Sequence, residues 1–372
     1  DQRFGLLFGV GSLAGMAGVL VGGRAIDRLG PRRVIRICLA GVGAGMLLVA
    51  FGGAHYASFL LATALSGLFS APLFIAINAY LGRLFPRHRR RIISLNLASS
   101  SLGGMMFPAV AEGLLYLSRQ ADGITFAQTL HVPFVLVGGL LLTGSLIYRP
   151  RRPPRPHSPA RHTAASARSG PPGRKLPPRI LVLTVLLALH ATADSVLHHW
   201  MPRFLESRSF ADQAIAPGLV VSGYALAYVL SRGLLSTLPD RVGARAFLVW
   251  PGLLGGTLLL LGIASHNYLL TAIGYVAGAF FWSAEYPTMV STVMRCNRQR
   301  FGAAMATATL LAGPMLFASM SGIGLLVERW GNEHMWKIML APAAVFPIIG
   351  MGGRAWLSFF ERKPPSETGV MA

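Results

Sequence analysis

Apolar runs of about 18 or more residues recur from one end of this chain to the other. At about 1.5 Å per residue, each is long enough to cross a hydrocarbon core of about 30 Å as a helix. They are placed near 4–23, 34–52, 57–81, 92–116, 130–148, 180–201, 215–236, 246–265, 268–294, 301–327 and 336–359. Backbone N–H and C=O groups inside lipid must be satisfied within the protein, and runs of this length satisfy them as helices. Eleven runs therefore predict an all-α integral membrane protein with no room for a soluble domain. Composition agrees: 53% of the 372 residues are hydrophobic and only 13% charged, about half the charged fraction of a soluble domain.

A formal charge of +21 raises the question of nucleic acid. The arginines sit between apolar runs, not on an amphipathic face interleaved with aromatics, so no nucleic-acid partner is expected. With the connections assigned alternately to the two sides, 27 of the 34 Lys and Arg fall on one side and 6 on the other, with Arg232 inside a run. The positive-inside rule makes the rich side cytoplasmic. The setting expected is a bacterial inner (plasma) membrane, with the C-terminus in the cytoplasm. Cys38 and Cys296 offer neither a disulfide framework nor metal-ligand spacing. The chain opens on Asp1, and its first run lacks the basic start and small-residue cleavage site of a signal peptide, which reads as a missing beginning.

The segment RPRRPPRPHSPARHTAASARSGPPGRKLPP at 149–178 is too rich in Pro and too poor in apolar residues for helix or strand. It reads as a cytoplasmic linker whose arginines can also touch anionic lipid headgroups. It separates an N-terminal bundle, 1–148, from a C-terminal bundle, 179–362, and a cytoplasmic tail, 363–372.

The two bundles echo each other. GGRAIDRLGPRR follows the first run and STLPDRVGAR the seventh, so that Asp27-Arg28-Leu29-Gly30 matches Asp240-Arg241-Val242-Gly243. A second echo pairs RRRIISLNLASSSLGG, from Arg89, with RQRFGAAMATATLLAG, from Arg298. Parallel repeats about an axis along the membrane normal are one way to build a transporter, with the solute site near the midplane between the halves.

The two Asp-Arg-x-Gly loops resemble the signature loop of the major facilitator superfamily, G-x-L-A-D-R-x-G-R-K, which lies after the second and eighth helices of that family. The resemblance implies the major facilitator fold, two pseudo-symmetric six-helix bundles, with 11 of the 12 helices present and the first one absent. A weaker similarity joins NAYLGRLFPRHRRRIISLNLASSSLGGMMFP to fucose-permease-like sugar transporters. Together the resemblances imply a secondary transporter that works by alternating access and moves a sugar-like or drug-like solute by symport.

Candidate gate residues are Asp27, Arg28 and Gly30 in the first loop and Asp240, Arg241 and Gly243 in the second. Runs beginning near Phe301 and Ile92 present helix N-termini on the same side as these loops, and an aspartate docking there gains about 0.3–1 kcal/mol. That suits a latch which opens every cycle. The glycines suit a turn needing positive φ. Ordinary capping is the plainer alternative.

Ionisable groups inside the membrane are functional candidates because of their insertion cost. His190, Asp194 and His198 are spaced i, i+4, i+8 along one face of a helix, with Asp194 about 21 Å from the cytoplasmic end. A histidine titrates near neutrality and a carboxylate withdrawn from water can hold a proton, so this stripe can serve a coupling proton. Alternatively Asp194 pairs with His190, and His198 lies at the outer interface. Glu285, just before Tyr286 and Pro287, either lines a cavity at a broken turn or pairs with Arg232. Trp200 reads as a membrane anchor. The aromatics Tyr224, Tyr228, Trp282 and Tyr286 can stack on a solute, while Asn78, Asn96 and Ser99 to Ser101 either donate to it or bond between helices.

No phosphate loop, nucleophile elbow or metal quartet occurs, so no enzyme, cofactor or metal is expected. The expected partners are a small-molecule solute, a coupling proton and membrane lipids, with the protein a monomer. The alternative function is a non-transporting sensor or an inactive fragment that keeps the fold.

Overall fold

The computed structural model describes residues 2–52, 55–85, 89–120, 126–148, 177–207, 215–237, 244–296 and 301–361. Among the described residues there is no strand, and nearly every position is helical. Five helices precede the proline-rich segment: α1 (Gln2–Leu29), α2 (Pro31–Phe51), α3 (Tyr56–Leu84), α4 (Arg89–Gln120) and α5 (Phe126–Ile147). Seven follow it: α6 (Pro178–Leu205), α7 (Pro217–Thr237), α8 (Ala244–Ala264), α9 (Tyr268–Trp282), α10 (Glu285–Cys296), α11 (Phe301–Trp330) and α12 (Met335–Glu361).

Eight of these helices are each long and apolar enough to cross a membrane, and the apolar stretch of α5, His131–Ile147, is shorter. The other two expected segments are less uniform. α4 carries the polar and small run SLNLASSSLGG in its first half. The span expected as continuous over 268–294 is two helices, α9 and α10, separated at Ser283 and Ala284. Pro287 explains the break, since it has no N–H to return to the carbonyl of Ser283. The N–H of Ser283 closes α9 on the carbonyl of Ala279 at 3.1 Å, and that of Ala284 turns to Phe281 at 3.3 Å.

Between α1 and α2 the chain reverses at Gly30, where φ is +79°. Its N–H bonds to the carbonyl of Ile26 at 3.0 Å, and Pro31 opens α2. A Cβ at Gly30 would meet nothing within 4 Å, so glycine is needed there for its backbone angle rather than for space.

α1 packs against both α3 and α11, α2 against α3 and α5, and α4 against α7; α8 packs against α9 and α12, while α6 packs against α11 and α12. Two of these seams, α1 with α11 and α4 with α7, join the helices before the proline-rich segment to those after it. Small residues bring the backbones together: a Cβ on Gly5 would collide with the carbonyl of Met320, and one on Gly18 with that of Leu68. Close approach of this kind is how helices gain packing energy where lipid offers no hydrophobic drive.

The α1–α11 seam is antiparallel, since Gly5 meets Met320, Gly9 meets Phe317 and Gly313 meets Met16. Continued along both helices, that register brings the last turn of α1, which holds Asp27, level with Phe301 at the start of α11. The α4–α7 seam repeats the pattern, with Ser94 bonded to the carbonyl of Arg232 at 2.7 Å and Ala225 beside Gly104. The side chains of Asp27 and Glu112, residues Asp240, Arg241 and Gly243, and the segments 149–176 and 362–372 lie outside the described residues. Arg28 is exposed.

The largest apolar core lies among the later helices, around Trp200, Phe204, Tyr275, Trp282 and Phe346. Trp200 is 0% exposed and meets Phe4 of α1 edge-on at 5.1 Å between centroids. The anchor role expected for it is therefore corrected: α1 covers the C-terminal part of α6, and the indole is buried between helices.

Candidate functional site

α6 and α7 run antiparallel, and each presents a stripe at i, i+4, i+8: His190, Asp194 and His198 on the first, Tyr224, Tyr228 and Arg232 on the second. The first two ranks of the stripes face each other, His198 and Asp194 against Tyr224 and Tyr228. His198 and Tyr224 have centroids 5.4 Å apart, and one turn further in both tyrosines reach Asp194. The Tyr224 hydroxyl donates to Asp194 Oδ1 at 2.5 Å, the Tyr228 hydroxyl donates to the same oxygen, and Trp282 Nε1 of α9 donates to it at 3.1 Å. Trp282 Nε1 also reaches the Tyr228 hydroxyl at 2.9 Å. The rings stack in a column, Tyr228 on Tyr224 and Tyr224 on Tyr275, each at 4.6 Å. Trp282 stacks on Phe346 of α12 at 4.3 Å. Helical periodicity supplies this geometry, because a four-residue step returns a side chain to nearly the same face.

Asp194 is thus neither unpaired nor paired with His190. The partner of His190 is Glu285, with Nδ1 and Oε2 2.9 Å apart. Both residues are buried, at 1% and 0% exposure. Glu285 is the first residue of α10, where the helix N-terminus favours a carboxylate, and the helix break after Trp282 is what turns it inward. Its Oε1 faces Gly252 of α8, where a Cβ would collide with it. Phe346 meets the His190 ring edge-on at 5.3 Å, and Tyr286 lies 6.2 Å from it.

Arg232 does not pair with Glu285. It crosses the α4–α7 seam, where Nη1 donates to the Leu97 carbonyl at 3.1 Å and to Ser101 Oγ at 2.8 Å. Its Cζ stands 4.3 Å over the centroid of Tyr228, within cation–π range. Among the described residues no carboxylate lies within ion-pair distance of it, and its Nε is buried without a hydrogen-bond partner. The residue is only 8% exposed. Tyr228 is therefore shared, with its ring under the guanidinium and its hydroxyl on Asp194.

Asn78 and Asn96 stand apart from this cluster. Asn96 Nδ2 donates to Asn78 Oδ1 at 3.5 Å, and Asn78 Nδ2 donates to the Phe74 carbonyl at 3.0 Å, so their amides serve contacts within α3 and between α3 and α4. Phe74 of α3 approaches Tyr286 across the halves at 6.4 Å. His199 bonds to the Ser195 carbonyl at 2.6 Å and packs on Phe8 of α1 at 4.2 Å. The sequence reading took the tyrosines and Trp282 for stacking surfaces and missed them as donors to Asp194. The matching i, i+4, i+8 spacing of Tyr224, Tyr228 and Arg232 was the available signal.

The description of the Major Facilitator Superfamily matches residues 1–217. The 3-(3-hydroxy-phenyl)propionate transporter of Escherichia coli (strain K12) is 25% identical over 373 residues, covering 95% of this chain and 86% of that protein. Among solved structures, the human organic anion transporter MFSD10 aligns with a TM-score of 0.65 at 17% identity, over 94% of this chain and 82% of that one. The E. coli fucose:proton symporter aligns at 0.59 and 15% identity, over 95% and 97% of the two chains. The proton:xylose symporter bound to 6-bromo-6-deoxy-D-glucose aligns at 0.62 and 13%, over 93% of each. At these identities the structures speak for the fold alone. The matched half of the sequence, the two seams and the bundle architecture agree: this chain belongs to the major facilitator superfamily, as a multi-pass membrane transporter of small solutes and not an enzyme.

Proposed function

We propose that this transporter carries a small organic anion with an apolar, aromatic body, by alternating access of two halves, 1–148 and 179–362, about the linker at 149–178. The observation that carries the reading is Arg232. A buried guanidinium is costly unless its charge is met, and here it is met by a tyrosine face, a hydroxyl and a carbonyl. A solute carboxylate is the group that completes such a site, since arginine presents a planar fork suited to carboxylates. The ring of Tyr228 lies under the guanidinium, and Tyr286 is the partly exposed aromatic of α10. The hydroxyphenyl propionate for which the E. coli relative is named and the organic anions of the human structural neighbour are of the same chemical class.

Coupling to a proton is assigned to the His190–Glu285 pair instead of Asp194. That pair is buried and stands where α9 breaks into α10, so a change in protonation there can be felt by a movable helix joint. The membrane is a bacterial inner membrane, with the linker and C-terminus cytoplasmic, and the working unit is a monomer in contact with lipid. A second reading, a neutral sugar-like solute, draws on the hydroxyl and indole groups around Asp194, but it leaves Arg232 without an anion.

Uptake into proteoliposomes decides between them. Labelled phenylpropionate should be taken up and resist competition by excess hexose, and Arg232→Gln should raise the half-saturating concentration about tenfold or more, the worth of a hydrogen bond to a charged group. Competition by hexose, or unchanged saturation in Arg232→Gln, would refute the anion reading.

A further inference from the structure

Arg232 is tied to α4 at two levels. Its backbone carbonyl accepts from the buried Ser94 hydroxyl at 2.7 Å. Its side chain reaches the Leu97 carbonyl and Ser101 Oγ through one atom, Nη1, at 3.1 and 2.8 Å. Ser94, Leu97 and Ser101 are spaced i, i+3, i+7, so one stripe of α4 grips one residue of α7. Nη1 carries two N–H groups and faces two oxygens there, while Tyr228 covers one face of the guanidinium.

A guanidinium has two edges on which a carboxylate can pair through both of its oxygens. The side-on edge, Nε with Nη2, is closed, because Nε is buried. Nη2 makes no hydrogen bond among the described residues and is not among the buried polar atoms that lack one, so the guanidinium meets accessible space at Nη2. A two-oxygen pairing is left with the end-on edge, Nη1 with Nη2, and its second oxygen reaches Nη1 only in competition with Leu97 and Ser101. Giving up Nη1 costs α4 little. Ser101 Oγ also donates to the Leu97 carbonyl at 3.0 Å, so the hydroxyl and the carbonyl keep each other when Nη1 leaves, and no buried group is orphaned.

Building on the organic-anion reading above, we infer that Arg232 is also the releasable contact of the α4–α7 seam: a solute carboxylate that takes Nη1 and Nη2 together displaces α4 from the guanidinium, so that binding itself loosens a joint between the two halves. The empty site and the tight seam then belong to one state, the filled site and the loosened seam to the other. A ligand shifts such an equilibrium only through contacts that differ between the states, and the contact that differs here is the hold of Nη1 on α4.

Disulfide formation across the seam reads its opening. A Cβ at Gly104 stands 3.9 Å from that of Ala225, the separation a disulfide needs. Gly104→Cys with Ala225→Cys, in a chain whose Cys38 and Cys296 are changed to alanine, should therefore cross-link on mild oxidation. In the reconstituted full-length protein, saturating phenylpropionate should slow that cross-linking about threefold or more, the worth of one interhelical hydrogen bond. Ser101→Ala removes one of the two acceptors of Nη1. Without solute this variant should cross-link at the slowed rate, and phenylpropionate should bind it more tightly and change the rate no further. Shielding of the cysteines by solute would instead slow both proteins equally. Equal slowing, or a rate in the unsubstituted seam that bound phenylpropionate leaves unchanged, would overturn the inference while leaving the anion reading in place. No binding of phenylpropionate in calorimetry would overturn both.

Discussion

Tyr228→Phe removes one oxygen from the centre of the site and nothing else. Asp194 Oδ1 loses one of its three donors, Trp282 Nε1 loses its second acceptor but keeps Asp194 at 3.1 Å, and the ring that carries Arg232 remains. Side-chain hydrogen bonds in membrane proteins average about 0.6 kcal/mol and reach about 1.7, while bonds to charged groups in soluble proteins run to about 1.5–3. The acceptor here is a carboxylate that retains two donors, so a loss of about 1–1.5 kcal/mol in unfolding free energy is expected. Tyr228→Leu also strips the surface beneath the guanidinium and should cost about 1–2 kcal/mol more. The measurement is unfolding in mixed detergent micelles, in a double-mutant cycle with Asp194→Ala. Residues sharing one hydrogen-bond network should couple by at least about 0.5 kcal/mol. A Tyr228→Phe cost below about 0.3 kcal/mol, additive with Asp194→Ala, would show that the three donors do not act on Asp194 as a unit.

Three further outcomes are expected. Glu285→Gln should abolish accumulation of phenylpropionate against its gradient under an imposed pH difference while leaving downhill exchange largely intact; wild-type accumulation would remove the His190–Glu285 pair from coupling. Asp27→Asn or Asp240→Asn should shift the protein toward the inward-facing state, about fivefold for a latch contact worth about 1 kcal/mol. Unchanged reactivity of reporter cysteines in the inner and outer cavities would make both aspartates simple caps. A cysteine at Ser158 should resist a membrane-impermeant reagent applied outside intact cells, and efficient labelling would reverse the assigned sidedness.

Much of the architecture could be read from residue order alone. Span length, the placement of arginines and the paired Asp-Arg-x-Gly loops depend on local chemistry: the width of a bilayer, the cost of moving charge across it, and the backbone angle that Gly30 adopts. The i, i+4, i+8 stripe of His190, Asp194 and His198 was likewise legible, because helical period is a local property. Tertiary structure decided which stripe it faces. Glu285 could line a cavity or pair with Arg232, and its actual partner, His190, was set only when the break at Ser283 and Ala284 turned it toward α6 and the α4–α7 seam drew Arg232 to Ser101. Trp200 has the character of an interfacial anchor, and only its packing in the core of the later helices, with Phe4 of α1 against it, buries it. The reason is common to these cases. A membrane helix is apolar nearly all round, so its sequence period marks its own faces weakly and its neighbour's not at all; the choice of partner is made by backbone fit between small residues and by the few polar groups that must find one another.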